Sequence, residues 1–186
     1  MTLLEMKQKT LSLIEELNPD SEYLTEDPDI AAKFNSVANQ IMYELARMKK
    51  IPKYVEMDVT AGTLVDFAAI EKVCGYEIYQ ISMVAGVNYI PKASGTVLKI
   101  LENGTAEIDV FVYPERITDK TKDSYEFELS PDALEIMPYG IAADLLKSDV
   151  SSGYGRQYSN RYQELLQRLD YRYNTGSISV EGGYDI

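Results

Sequence analysis

The chain has 186 residues, and 30 Asp+Glu against 18 Lys+Arg give it a formal net charge of −12, with no histidine, no tryptophan and one cysteine, Cys74. Without histidine there is no Ser-His-Asp triad, no Cys-His pair and no imidazole base, and one thiol neither closes an internal disulfide nor holds a thiolate zinc site. The acidity argues against a general nucleic-acid binder, whose affinity rests on Lys and Arg neutralising phosphates, while 45% hydrophobic residues suffice for a core.

Thr2-Leu3-Leu4-Glu5 fits a capping box and predicts a first helix to about Leu17, stopped by Asn18-Pro19-Asp20-Ser21. Asp27-Pro28 reads as an N-cap followed by a first-turn proline. From there Ile30, Phe34, Val37, Ala38, Ile41, Met42, Leu45 and Met48 keep the spacing of a long amphipathic helix. Lys49 and Lys50 suit its C-terminus, and Pro52 is expected to end it. Tyr54, Val55, Met57 and Val59 then begin a strand-like region, and Tyr76 to Val84 is rich in β-branched and aromatic residues. Residues 62–73 read equally as strand or helical turn.

Asn103-Gly104 stands between Thr96–Glu102 and Thr105–Tyr113, which predicts a type I′ hairpin with Leu101 facing Ala106 and Val97 facing Val110. In it Ala106, Ile108, Val110 and Val112 form one apolar face, with Glu107 and Asp109 on the other. Thr118 to Ser124 is a polar loop tip, and Tyr125 to Leu129 a short final strand. Ser130-Pro131-Asp132 opens another helix, with an apolar face of Leu134, Met137, Ile141, Leu145 and Leu146 and an expected kink at Pro138. Its small residues Gly140, Ala142 and Ala143 permit close packing. Tyr158, Tyr162, Leu165, Leu166 and Leu169 mark an amphipathic last helix. Ser177-Ile178-Ser179-Val180 alternates like a strand, and Gly182-Gly183 precedes Tyr184-Asp185-Ile186.

The expected fold is α+β: a small helical bundle from 1–52 and 130–170, an inserted antiparallel β-sandwich-like block over 53–129, and an extended C-terminal tail over 171–186. Met1 to Lys7 lacks the order of a signal peptide, and the apolar stretch Ile81–Ile90 is about half a bilayer span. The expectation is a cytoplasmic chain with no membrane segment.

Few arrangements suggest chemistry. Glu56 with Asp58, and Glu107 with Asp109, are carboxylate pairs that exposed strand faces explain. Asp27-Pro28-Asp29 is a helix start without the spacing of a calcium loop. Gly153-Tyr154-Gly155-Arg156 before a helix could suggest an anion site, but it lacks the lysine of a P-loop and the third glycine of a dinucleotide fingerprint. Cys74, with no histidine to activate it, reads as a buried structural thiol. No catalytic residue, metal ligand or cofactor site results. Arg156 to Tyr173 interleaves tyrosine with four of the six arginines, a composition shared by single-strand nucleic-acid binders, solvated amphipathic helices and protein interfaces. The tail is either disordered or docks on another chain by strand addition. Candidate partner-binding residues are Tyr154, Arg156, Tyr171, Tyr173, Ile178, Val180, Tyr184 and Ile186.

The element order, with Leu129-Ser130-Pro131-Asp132-Ala133-Leu134-Glu135 continuing through Pro138-Tyr139-Gly140-Ile141-Ala142-Ala143-Asp144-Leu145-Leu146 and then Tyr158 to Leu169 as Tyr-Ser-Asn-Arg-Tyr-Gln-Glu-Leu-Leu-Gln-Arg-Leu, resembles the head-to-tail adaptor (connector) proteins of tailed bacteriophages. Tail tubular and gatekeeper proteins of short-tailed phages are among them. The resemblance implies a structural virion protein without cofactor, assembled in the host cytoplasm. It implies a homo-oligomeric ring, commonly a dodecamer, that binds the portal protein and a tail or neck protein while DNA passes without specific binding. It transfers no functional residue. Acid concentrates in Met1–Ile30 and in Lys53–Ser130, each with a net charge of −6, and acidic walls would suit a DNA passage. The alternatives are a β-sandwich ligand-binding module, for instance for carbohydrate, and a carboxylate-dependent hydrolase.

Overall fold

Two spacings of apolar residues build two cores, one helical and one β. The computed structural model describes residues 1–148 and 153–171, and among these the protein is an α+β fold of five α-helices and two small antiparallel sheets. In chain order the elements are α1 (Leu3–Leu13), α2 (Pro28–Met48), β1 (Ile51–Val59), β2 (Leu64–Asp66), α3 (Phe67–Cys74), β3 (Ile78–Ala85), β4 (Tyr89–Lys92), β5 (Val97–Ile100), β6 (Gly104–Val112), α4 (Pro131–Leu145) and α5 (Tyr154–Tyr171). Of the expected tail over 171–186, Tyr171 is instead the last residue of α5, and residues 172–186 lie outside the described residues.

The helical core follows the predicted spacing. The capping box forms: the Glu5 amide donates to Thr2 Oγ1 at 3.2 Å and the Thr2 amide to Glu5 Oε2 at 2.9 Å. The first helix is shorter than expected, because Glu15 turns to a positive φ of 61° and the Glu16 amide donates back to the Leu11 carbonyl at 2.9 Å. Asp27 caps α2, accepting from Asp29 and Ile30 at 2.8 and 3.3 Å. Ile30, Phe34, Ala38, Ile41, Met42 and Leu45 are buried as the pattern predicts. Pro52 does not end this helix, which stops at Met48. It lies instead in edge strand β1, where a missing N–H costs no ladder bond. Helix α4 is apolar on nearly every side and is the centre of the bundle, touching α1, α2 and α5. Pro138 sits inside it without ending it. Gly140 permits the close approach: a Cβ there would lie 2.8 Å from the Tyr162 ring and 3.0 Å from Ile41.

The β core differs from the expected arrangement. Strands β5 and β6 do not form a hairpin; β5 pairs with β2 and β4, and β6 with β1 and β3. The expected Leu101–Ala106 and Val97–Val110 pairs are therefore absent, and Ala106 faces Met57 while Val97 faces Asp66 and Lys92. A type I′ turn needs positive φ at both central residues, and neither Asn103 nor Gly104 has it. Asn103 instead accepts the Ala61 amide at 2.8 Å, holding a corner where the chain passes from one sheet to the other. Val55, Ile108 and Val110 from one sheet and Val65, Leu98 and Ile100 from the other share a core with Ile70 of α3. The ambiguous residues 62–73 are strand and then helix, with Asp66 as N-cap and Gly75 closing α3 at φ 77°.

Residues 125–129 are not a strand of this block. They make one bridge, Thr2 to Glu126, and send Phe127 and Leu129 into the helical core. The two cores meet at a stack of rings: Tyr43 lies 4.6 Å from Tyr113, and Tyr113 4.9 Å from Tyr79. The Tyr79 hydroxyl donates to the Ala46 carbonyl at 3.0 Å. Among the described residues no helix is long and apolar enough to cross a membrane.

Candidate functional site

Of the candidate partner-binding residues, only Tyr154 and Arg156 can be placed with their side chains. Tyr154 opens α5 and is 58% exposed, and Arg156 is exposed in the same turn. Tyr171 closes the same helix, about 26 Å away at 1.5 Å per residue, so it shares no patch with Tyr154. Tyr173, Ile178, Val180, Tyr184 and Ile186 lie outside the described residues, as does the side chain of Tyr171. The idea of an anion site at Gly153–Arg156 meets an obstacle. Gly155 is pressed on the Leu146 carbonyl, where a Cβ would come within 2.9 Å, and the adjoining groove also contains Asp144.

The rest of α5 packs as a bundle helix. Tyr162, Leu166 and Leu169 are buried, and the Tyr162 hydroxyl donates to Glu44 at 2.9 Å. Burial and the Glu44 carboxylate push this phenol far above the usual tyrosine value. Tyr158 donates to the Leu13 carbonyl. The strongly exposed tyrosines, Tyr23, Tyr54 and Tyr154, lie on separate elements, so the described tyrosines line no common cleft.

The two carboxylate pairs become one feature. Because β1 pairs with β6, Glu56 stands directly opposite Glu107, Tyr54 opposite Asp109, and Asp58 opposite Thr105. All project on the outer face of the β1-β6-β3 sheet, since the alternate residues Val55, Val59, Ile108 and Val110 are buried. Glu56 accepts from the Tyr54 hydroxyl at 2.6 Å and Asp58 from Thr105 at 2.8 Å, and among the described residues none of the four acids is in an ion pair. The hydrogen bond to Glu56 and the surrounding carboxylates raise Tyr54 to about 12. Met83 of β3 completes the middle row opposite Asp109.

The second sheet turns a different face outward. Leu64 and Ile90 flank Lys99 in register, with Lys92 one row away. Leu64 is 65% exposed, Ile90 41% and Leu101 48%. Sequence reasoning missed this face, because residues 64, 90 and 99 come together only through strand pairing. The signal was present in Leu64, an apolar residue beside the turn glycine Gly62.

Among the described residues no three His, Cys, Asp or Glu side chains are grouped to hold a metal ion. Cys74 is half-buried rather than buried, with Sγ near the Tyr76 and Glu71 carbonyls. In a cleft of about 720 Å³ beside α1 and α2, Lys7 is paired with Asp123 at 2.9 Å and Asn35 donates to Asp119 at 3.0 Å. No family model matches the chain, and no curated protein matches it.

Proposed function

We propose that the chain is a non-enzymatic structural protein of a tailed-phage virion, a head-to-tail adaptor that forms a ring, commonly a dodecamer, between the portal and the tail or neck. Assembly takes place in the host cytoplasm, and residues beyond α5 dock on a neighbouring subunit or the portal.

The observation that carries this reading is the acidity of the α1–α2 connection. From Glu15 to Asp29 the chain has acids at 15, 16, 20, 22, 26, 27 and 29 and no Lys or Arg, and most of these side chains are exposed. A passage for DNA must not hold it, and carboxylates in such excess, with only Asp29 among the described residues near a base (Lys33), repel phosphate over a Debye length of about 8 Å at physiological salt. A bundle of α1, α2, α4 and α5 beside a two-sheet β block supports the same reading.

The decisive experiment is virion assembly without this chain. Filled heads lacking tails are the expected product, and complete infectious particles would overturn the proposal. Deletion of Gly176 to Ile186 should reduce incorporation of the chain at the portal vertex; unchanged incorporation would reject the docking role of those residues.

A further inference from the structure

We propose that the two outer faces of the β block bind each other between copies of this chain, the acidic face of β1-β6-β3 on one copy seating on the lysine-bearing face of β2-β5-β4 on the next. The occupant of each face is thus a second copy of the same protein.

The middle rows of the two faces have the same pattern with opposite charge. On one sheet Tyr54, Asp109 and Met83 lie side by side, an acid on the central strand between two exposed apolar side chains. On the other Leu64, Lys99 and Ile90 lie side by side, a base on the central strand between two exposed apolar side chains. In the neighbouring rows Glu56 stands opposite Glu107 on the first face, while on the second Val97 lies between Lys92 and Asp66, so that face carries two lysines and one acid, which caps α3. Among the described residues Lys92 and Lys99 have no acidic partner within their own chain. Exposed apolar side chains gathered on one face mark interaction surfaces, and the opposed charges decide what covers them.

The pattern also rules on symmetry. Two acidic faces placed together would bring four carboxylates against four, so a two-fold contact of that face with itself is disfavoured. The two faces look away from a shared core and cannot meet within one copy. Their contact is heterologous, leaves one face free on each copy, and continues until it closes in a ring or runs on as a filament. It does not rest on the virion assignment: any chain with these faces would make it.

The test is self-association of the full chain, read by sedimentation velocity over a range of concentration and salt. The wild type should gain mass with concentration and lose it with added salt. Asp109→Lys and Lys99→Asp should each weaken association at least about tenfold, and Asp109→Lys/Lys99→Asp together should restore it to within about threefold of wild type. Glu107→Lys, on a more exposed position, replaces Asp109→Lys if that variant fails to fold. A wild type that stays monomeric, single variants that associate normally, or a double variant as weak as the singles would each overturn the contact. A monomer would leave the virion reading standing, because that reading is decided by particle assembly.

Discussion

Asn39 takes the place of a strand partner for the segment that returns from the β block. Its side-chain amide donates to the Ile117 carbonyl, and its oxygen accepts the Ile117 amide, both at 2.8 Å and both buried. Removing it leaves two buried backbone groups unpaired, so Asn39→Ala should cost about 2–3 kcal/mol, measurable as a lower urea midpoint. Gly140→Ala should cost about 1–3 kcal/mol through overpacking, since the new methyl meets the Tyr162 ring at 2.8 Å. Tyr125 gives a pH prediction. Its phenol is raised from 10.0 to about 12, first by burial and then by the Glu128 and Glu115 carboxylates. The folded chain therefore keeps this proton after the unfolded chain has lost it. The stabilisation is complete below the unfolded value of 10.0 and is lost as pH climbs towards 12. Urea midpoints should fall over that window, and Tyr125→Phe should fall less steeply.

At the scale of elements, two neighbouring glycines make opposite predictions. Gly86 has φ 79°, and a Cβ there would lie 2.4 Å from the Thr105 carbonyl. Gly86→Ala should therefore cost upwards of about 2 kcal/mol from strain and clash together. Gly104 has no positive φ, and a Cβ there would meet the end of the Val87 side chain at 3.0 Å and the Gly86 carbonyl at an ordinary 3.6 Å. Gly104→Ala should cost under about 1 kcal/mol; a type I′ hairpin would have demanded far more. The helices and their caps were legible because helical hydrogen bonds, cap bonds and the 3–4 spacing are all local. Strands β1 and β3 were legible from composition. The pairing of β5 was not, because Asn-Gly is a turn signal only when its own backbone satisfies itself. Here Asn103 is spent on Ala61, and each flanking strand finds its partners elsewhere.

For the molecule as a whole, the contact between the cores runs through Tyr113. Its ring packs between Tyr43 and Tyr79, and its hydroxyl accepts from Arg47 at 2.5 Å. Tyr113→Ala should cost about 3 kcal/mol and separate the unfolding of the two cores. Hydrogen exchange would then show the β6 amides opening before those of α4. The candidate surfaces have a similar lesson. The identities of Glu56, Asp58, Glu107 and Asp109 could be read from the chain, but their union on one face depends on the β1–β6 register. The candidate residues Tyr154 and Arg156 are exposed, yet the helix that begins with them carries Tyr171 to its far end.

Ile51 and Val112, the first residue of β1 and the last of β6, stand opposite each other, with Cα atoms about 5 Å apart. The chain thus crosses into the β block and back through a neck two strands wide. Exchanging such a unit would need only a short loop to join Ile51 to Val112, provided the replacement also covers the stacked Tyr43 and Tyr113 rings, where Tyr79 now packs on Tyr113. Lineages carrying the same four-helix body with a different block, or with none, are the expected outcome. The surface chemistry of the block is then free to diverge without the helical core having to change with it.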